Sequence, residues 1–184
     1  MNGHHLILGQ LTDYLTGETL EDTHDERYRQ KLACFLVEQK GYLKSDITSR
    51  HPFVSRAGEK KAMTRIDFLV TVHGKIAMLI KYGPGSLVTR RRPALAASRL
   101  LAEYQVPLVV VTNGKDAEVM DGASGKVSGT GLGSLPERGE LENIVNAHLF
   151  QPISTQRAEM ESRIFYAYEV DGCCPCDETV CKMP

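Results

Sequence analysis

Apolar and polar positions along the chain follow two periods, one typical of helices and one typical of strands. A stripe at helical spacing begins after Thr23 and predicts a first helix ending near Gly41, with its buried face at Tyr28, Leu32, Phe35 and Leu36. Residues 65–72 and 76–82 are two nearly continuous apolar runs, separated by a short turn. We interpret these runs as a pair of central strands.

The rest of the chain predicts further elements of both kinds. We expect a strand at 46–54, a polar loop at 55–64, a helix from Pro93 to about Tyr104, a buried strand at 106–112, a small hairpin at 118–128, and helices near 138–149 and 155–170. This order predicts the α/β class, with a mixed central sheet flanked by helices. The chain then divides into an N-terminal arm (1–21), an α/β domain (22–136), C-terminal helices (137–170) and a Cys-rich tail (171–184).

The composition is that of an ordinary globular protein. The 184 residues are 42% hydrophobic and 24% charged, which suits one domain with a sizeable core. The net charge of −1 means that any surface for nucleic acid is local. No apolar run approaches the ~20 residues of a membrane span. We find no signal peptide, so we expect a cytoplasmic protein with no membrane partner.

Two charged residues mark the ends of the central strand pair, Asp67 at the entry and Lys81 at the exit. Metal-dependent phosphodiester hydrolysis needs carboxylates that hold the metal and a positive group near the developing charge. The turn decides whether these two residues meet. A three-residue turn at 73–75 places Asp67 opposite Lys81, whereas a two-residue turn pairs Asp67 with Ile80 and turns Lys81 to the other face. We expect the three-residue turn.

The strongest local charge feature follows the second central strand. The segment from Lys81 to Arg99 contains five basic residues, both ends included, and no acid. Backbone N–H groups, hydroxyls and guanidinium groups all bind phosphate, so we expect nucleic acid to contact Ser86, Thr89, Arg90, Arg91 and Arg92. A second patch extends this surface, at Arg56, Lys60, Lys61 and Arg65. Alternatively, the three arginines are solvated or pair with acids of the C-terminal third.

Four of the five cysteines lie close together in the C-terminal tail. Cys173 and Cys176 have the spacing of one zinc knuckle, and Cys181 offers a third thiolate. Cys174, His148 or a residue of another chain would then supply the fourth Zn²⁺ ligand. The alternatives are a redox disulfide and an unstructured, thiol-rich end.

Several short motifs, in their order and spacing, resemble the N-terminal domain of type I restriction enzyme R subunits. They are the run 25–30, Arg65-Ile-Asp67, the strand ending at Lys81, the helix after it, and the run 109–114. The resemblance spans residues 22–136 and implies the restriction-endonuclease-like fold of the PD-(D/E)XK nucleases. It also implies roles in a Mg²⁺-dependent DNA endonuclease: Asp67 as the main metal ligand, Glu26 as a second ligand and Lys81 as the catalytic lysine.

The sequence departs from that family pattern at two places. Leu79 stands two residues before Lys81, where the pattern has an acid, and the glutamine expected one turn before Tyr104 is absent. Glu103 is a candidate replacement for the missing acid. Glu26 also has a second interpretation, because Thr23-His-Asp-Glu26 is a capping-box pattern.

Three functional hypotheses follow from these features. The first is a nucleic-acid-binding domain whose metal-dependent site is degenerate, with weak or absent phosphodiesterase activity. The second is a non-enzymatic module that binds a protein partner, with the cysteine tail as a metal-stabilised docking element. The third is an active Mg²⁺-dependent endonuclease in which another acid, such as Glu103, replaces the one lost at Leu79.

Overall fold

A computed structural model describes residues 6–173 and 180–183 of the protein. In these ranges, β1 (Gln10–Thr12) and β2 (Thr19–Glu21) form a small N-terminal hairpin. The central sheet contains β3 (Ile47–Ala57), β4 (Lys60–Val72), β5 (Lys75–Tyr82), β6 (Leu108–Thr112), β7 (Ala117–Asp121), β8 (Val127–Thr130) and β9 (Cys181–Met183). The helices are α1 (His24–Glu38), α2 (Val88–Leu100), α3 (Arg138–Ala147) and α4 (Thr155–Tyr166), and α4 continues into a π-helical turn, Ala167–Asp171.

The sheet is mixed and lies between two helical layers, as the sequence predicts. The strand order is β3-β4-β5-β6-β7-β8, with β5 and β6 parallel and the other neighbours in this order antiparallel. Apolar residues of α1 and α3 pack on one face, and those of α2 and α4 pack on the other. The central strands β5 and β6 are almost fully buried, which explains their uninterrupted apolar runs.

A long hairpin replaces the polar loop predicted at 55–64. Strands β3 and β4 stay paired to Ala57 and Lys60, and Gly58 turns the chain with a φ of +63°. Ser55 and Thr64 are buried, and their hydroxyls bond to backbone carbonyls of the partner strand. The loop prediction was wrong because it took these polar residues to be exposed to solvent, whereas Ser55 and Thr64 are buried. The C-terminal segment covers this part of the sheet, and β9 pairs with β4.

The second predicted helix begins earlier and ends earlier than expected. It starts at Val88, so Pro93 lies inside it, and it ends at Leu100. Tyr104 lies beyond the helix, where its hydroxyl accepts a hydrogen bond of 2.7 Å from the backbone N–H of Ile76. The tyrosine is therefore held at the start of β5, at the opposite end of that strand from Lys81.

Candidate functional site

The turn between β4 and β5 has two residues, so the predicted three-residue turn is wrong. His73 and Gly74 have φ values of +50° and +72°, and Val72 pairs with Lys75 on either side of them. Two residues with positive φ are typical of the tight turns that match strand twist. This turn alone would have placed Lys81 on the wrong face.

A β-bulge restores the predicted pairing. The register shifts between Val70 and Thr71, so that Val70 pairs with Met78 and Phe68 pairs with Ile80. Continuing this register places Asp67 opposite Lys81. The juxtaposition predicted from the sequence is thus present, although it arises from the bulge and not from a longer turn.

Asp67 lies where β4 changes the face on which it packs. Ile66 belongs to the apolar cluster of α2 and α4, whereas Phe68 belongs to the cluster under α1. The position opposite on β3 is Arg50, which has a φ of +51°. This distortion of the strand pair brings charged side chains of β3, β4 and α1 together at one place.

The carboxylate of Asp67 is buried and has a donor at each oxygen. Its Oδ1 accepts from Nε of Arg29 on α1 at 2.7 Å, and its Oδ2 accepts from the backbone N–H of Tyr82 at 2.8 Å. The second of these bonds ties the Asp67 carboxylate to Tyr82, the last residue of β5. Asp67 therefore joins the helix to the end of the strand pair.

Glu26 reaches the same place from the first turn of α1. Its backbone N–H donates to the Thr23 hydroxyl at 3.1 Å, which is one half of the expected capping box. The carboxylate does not make the other half. Its Oε1 accepts from Gln30 at 2.8 Å and from Arg50 at 3.0 Å, and its Oε2 lies 3.6 Å from Arg29.

We call Glu26, Arg29, Arg50 and Asp67 the site cluster. Asp13, at the end of β1, extends it, because its nearly inaccessible carboxylate pairs with Arg50. Burial alone would raise the pKa of Asp13, but the bond from Arg50 and two backbone N–H bonds lower it below its ordinary value. Sequence reasoning missed Asp13, Arg29 and Arg50, and the run 25–30 was the available signal only for Arg29.

Lys81 is buried beside Asp67 but pairs with a different acid. Its ammonium group lies 2.9 Å from Glu169 in the π-helical turn and donates to the carbonyl of Arg65 at 3.2 Å. Burial alone would lower the pKa of Lys81, but the charges of Glu169 and Asp67 raise it above its ordinary value. The C-terminal segment thus supplies a carboxylate that the sequence analysis did not anticipate.

The position of the missing acid is part of the core. Leu79 is fully buried and pairs with Leu69 and Val109 in neighbouring strands. Glu103 is exposed and follows α2 near Tyr104, which is held at the other end of β5. The structure therefore does not bring Glu103 to Lys81.

The arginine run at the start of α2 is largely engaged with carboxylates. Arg91 pairs with Glu118 on β7 and Arg92 with Glu161 on α4, at 2.5 and 2.6 Å. Arg90 packs over Gly83 and donates to the Pro84 carbonyl at 3.4 Å. Thr89 donates to the carbonyl of Ser86. These contacts favour the alternative in which the arginines are structural.

Glu161 also receives a second arginine from α2. The buried Arg99 lies 2.5 Å from it and donates to the carbonyl of Ala123 at 3.1 Å. We call Arg92, Arg99 and Glu161 the interhelical cluster, because it joins α2 to α4. Burial raises the pKa of Glu161, but its bonds from the two arginines lower it below its ordinary value.

The second basic patch has a different character. Lys61 pairs across the hairpin with Arg56, and Arg65 lies four residues after Lys61 on β4, so these three side chains share one face. We call Arg56, Lys61 and Arg65 the basic hairpin face. Lys60, which pairs with Ala57 at the tip of the hairpin, lies on the opposite face. Lys61 is half-buried, the other three basic residues are exposed, and none of the four pairs with a carboxylate of the described residues.

The residues at hand do not fit a divalent metal. The carboxylate oxygens of Asp67 and Glu26 face protein donors, two of them guanidinium groups, and Leu79 offers no oxygen. Over residues 6–173 and 180–183, no three His, Cys, Asp or Glu side chains form a metal-holding group. Of the predicted Zn²⁺ ligands, Cys173 donates to the Val170 carbonyl and Cys181 is exposed, whereas Cys174 and Cys176 lie outside the described residues.

Comparison with known proteins identifies a family over most of this region. A family model described as type I restriction enzyme R protein N terminus (HSDR_N) matches residues 24–136, more than half of the chain. Comparisons with curated proteins and with solved structures gave no significant match. The family match includes Glu26, Asp67 and Lys81 but ends before Glu169. No helix in the described ranges is long and apolar enough to cross a membrane.

Proposed function

The chain belongs to the family of type I restriction enzyme R protein N termini, and from this premise we propose that it binds the backbone of nucleic acid. The contact surface is the basic hairpin face, and the phosphodiesterase site beside it is degenerate, with weak or absent activity. The protein acts in the cytoplasm under the same proposal.

The observation that supports this proposal is that the three basic side chains of this face have no carboxylate partner among the described residues. Arg91 and Arg92 would have to leave carboxylates before they bound phosphate, whereas the basic hairpin face has no such partners among the described residues. Lysine and arginine contacts to phosphates position a protein without reading sequence.

The location of this face relative to the site cluster supports the same proposal. Arg65 precedes Asp67 by two residues on β4, and its carbonyl accepts from Lys81. A nucleic-acid backbone bound along the hairpin would therefore pass beside the position where a nuclease with this family pattern would act. Leu79 and the saturated carboxylates of Glu26 and Asp67 support the degenerate state of that position.

Fluorescence anisotropy with labelled duplex DNA, single-stranded DNA and RNA tests the binding proposal. Three phosphate contacts predict a slope of log K against log salt of about −3 for duplex DNA. The double change Arg56→Gln and Lys61→Gln should weaken binding uniformly across sequences and reduce the slope by about 2. Arg91→Gln, whose partner is Glu118, is the matched control and should leave binding unchanged. Absence of binding, or an equal loss in the control, would refute the proposal.

A nuclease assay with Mg²⁺ or Mn²⁺ tests the degenerate site. We expect wild type, Asp67→Ala and Lys81→Ala to show equally low cleavage. Cleavage by the wild type that Asp67→Ala abolishes would favour the active endonuclease, with Glu169 as the acid nearest Lys81.

One observation favours a second candidate, the protein-interaction module. Val54 and Met63 face each other across the hairpin, and 47% and 39% of their surface is exposed. An apolar pair between basic residues suits a partner with an acidic, partly apolar surface. In that case Val54→Ser would abolish binding of the protein partner, while the double change Arg56→Gln and Lys61→Gln would leave the binding of nucleic acid unchanged.

A further inference from the structure

Arg29 lies between the two carboxylates that the family pattern assigns to the metal. Its Nε is 2.7 Å from Asp67, and its Nη1 is 3.6 Å from Glu26. The side chain comes from the second turn of α1, one turn after Glu26, so the helix itself directs it towards β4. The guanidinium also lies over the ring of Tyr82, 5.1 Å from its centre.

All four oxygens of the two carboxylates have protein partners. Asp67 receives Arg29 and the N–H of Tyr82, and Glu26 receives Gln30, Arg50 and Arg29. Mg²⁺ requires oxygen ligands in near-octahedral geometry at about 2.1 Å. A divalent ion at this place would have to displace a guanidinium that has the same sign of charge.

We propose that Arg29 is the resident cation of this site and replaces the divalent metal. The guanidinium holds Glu26 and Asp67 together, and it does so with a fixed charge that needs no ion from solution. This inference takes Glu26 and Asp67 as the site of the proposed function, but it does not depend on whether the hairpin binds nucleic acid.

A guanidinium and a divalent metal ion hold carboxylates in different ways. Arginine stays protonated in proteins and presents several donors in one plane, so it can bridge carboxylates from a helix and a strand. Burial lowers the pKa of Arg29, but the adjacent Asp67 more than offsets this, and the charge is retained. A site built in this way is held together when chelators remove free metal.

Mn²⁺ binding measured by electron paramagnetic resonance tests the proposal on the full chain. The wild type should leave Mn²⁺ free at millimolar concentration, and its Tm should be the same in Mg²⁺ and in EDTA. Arg29→Met keeps most of the apolar stem but removes the charge. This variant should have a lower Tm in EDTA, bind Mn²⁺, and recover Tm when Mg²⁺ is added, because Oδ1 of Asp67 and Oε2 of Glu26 lose their partner and can hold the ion.

Arg27→Met is the matched control on the same helix. The half-exposed side chain of Arg27 pairs with Asp22, and within the described residues it forms no hydrogen bond or ion pair with Glu26 or Asp67. This variant should bind no Mn²⁺ and show no dependence of Tm on Mg²⁺.

Two results would overturn the proposal. One is Mn²⁺ binding by the wild type that Asp67→Asn removes, and the other is a folded Arg29→Met variant that binds no Mn²⁺. If Arg29→Met is unfolded in EDTA, Mn²⁺ at millimolar concentration should refold it, and failure to refold counts against the proposal. Anisotropy with DNA separates this test from the proposed function, since Arg29→Met leaves the basic hairpin face intact.

Discussion

Two buried charge clusters lie on opposite sides of the sheet and are built in opposite ways. In the site cluster, a guanidinium from α1 lies between carboxylates from the helix and from β4. In the interhelical cluster, a carboxylate from α4 lies between two guanidiniums from α2. The first cluster has the two acids that the family pattern assigns to a metal, with an arginine between them. The second uses an arginine that local sequence assigns to nucleic acid.

The role of an arginine in this protein depends on the distant carboxylate with which it pairs. Arg29 and Arg92 both stand in basic or mixed runs of a helix, and each becomes structural through an acid far away in sequence. The basic residues of the β3–β4 hairpin, which pair with no carboxylate in the described ranges, were the weaker signal in the sequence.

Restoring the missing acid should damage the protein and not repair the site. Leu79→Glu places a carboxylate in a fully buried apolar position beside Leu69 and Val109. We expect a loss of about 4 kcal/mol in the free energy of unfolding, measured by urea denaturation, because no donor is available there. Mg²⁺-dependent cleavage should not appear.

The control for this substitution is Leu79→Met, which nearly conserves volume and should cost less than about 1.5 kcal/mol. A stable Leu79→Glu variant that cleaves DNA would mean that the site cluster lacks only this acid. Arg29 would then not be the feature that separates the two clusters.

Breaking the interhelical cluster should reduce the free energy of unfolding somewhat less than Leu79→Glu does. Glu161→Gln keeps the shape of the side chain but leaves the buried Arg99 without its counter-charge. We expect a loss of about 3 kcal/mol in the free energy of unfolding, as for other buried pairs that lose one partner.

Glu159→Gln, an exposed change on the same helix, is the control and should leave unfolding unchanged. An equally small effect of Glu161→Gln would show that the arginines of α2 are not held by α4. The arginine run would then again be a candidate for binding phosphate.

The sequence predicted the apolar part of the molecule better than its charged part. The central strands and α1 could be predicted from periodicity, because the apolar residues that form their buried surfaces also make the repeating pattern in the sequence. The hairpin tip was missed because Ser55 and Thr64 are polar and yet buried under a C-terminal segment far away in sequence. Asp67 was correctly placed opposite Lys81 through an incorrect turn, because a bulge leaves no apolar or polar signature in this run. Glu169 could not be assigned, since only the folded chain brings it to Lys81.

The contact between Lys81 and Glu169 joins β5 to the C-terminal segment. We expect it to make an intermediate contribution to the free energy of unfolding. A double-mutant cycle with Lys81→Met and Glu169→Gln should give a coupling of about 2 kcal/mol in urea denaturation, because both groups are shielded from water. The same cycle with Lys81→Met and Asp67→Asn should give a smaller coupling, since no direct ion pair joins those two described residues. Equal couplings would show that Lys81 belongs to the site cluster and not to the C-terminal segment.

The smallest effect is a difference in pH dependence. The pKa of Glu161 is raised by burial but lowered overall by Arg92 and Arg99, so its stabilisation is complete above the ordinary value of 4.5 and is lost as pH falls through the lower folded pKa. The pKa of Lys81 is lowered by burial but raised overall by Glu169 and Asp67. Its stabilisation is complete below the ordinary value of 10.5 and is lost as pH rises through the higher folded pKa.

The plot of Tm against pH should therefore differ from that of the wild type at acid pH in one variant and at alkaline pH in the other. Glu161→Gln should flatten part of the acid limb and leave the alkaline limb as in the wild type, while Asp13, whose pKa Arg50 also lowers, retains the rest of the acid dependence. Lys81→Met should flatten part of the alkaline limb and leave the acid limb as in the wild type. If both variants flatten the same limb, Glu161 and the Lys81–Glu169 pair titrate together and are not independent parts of the fold.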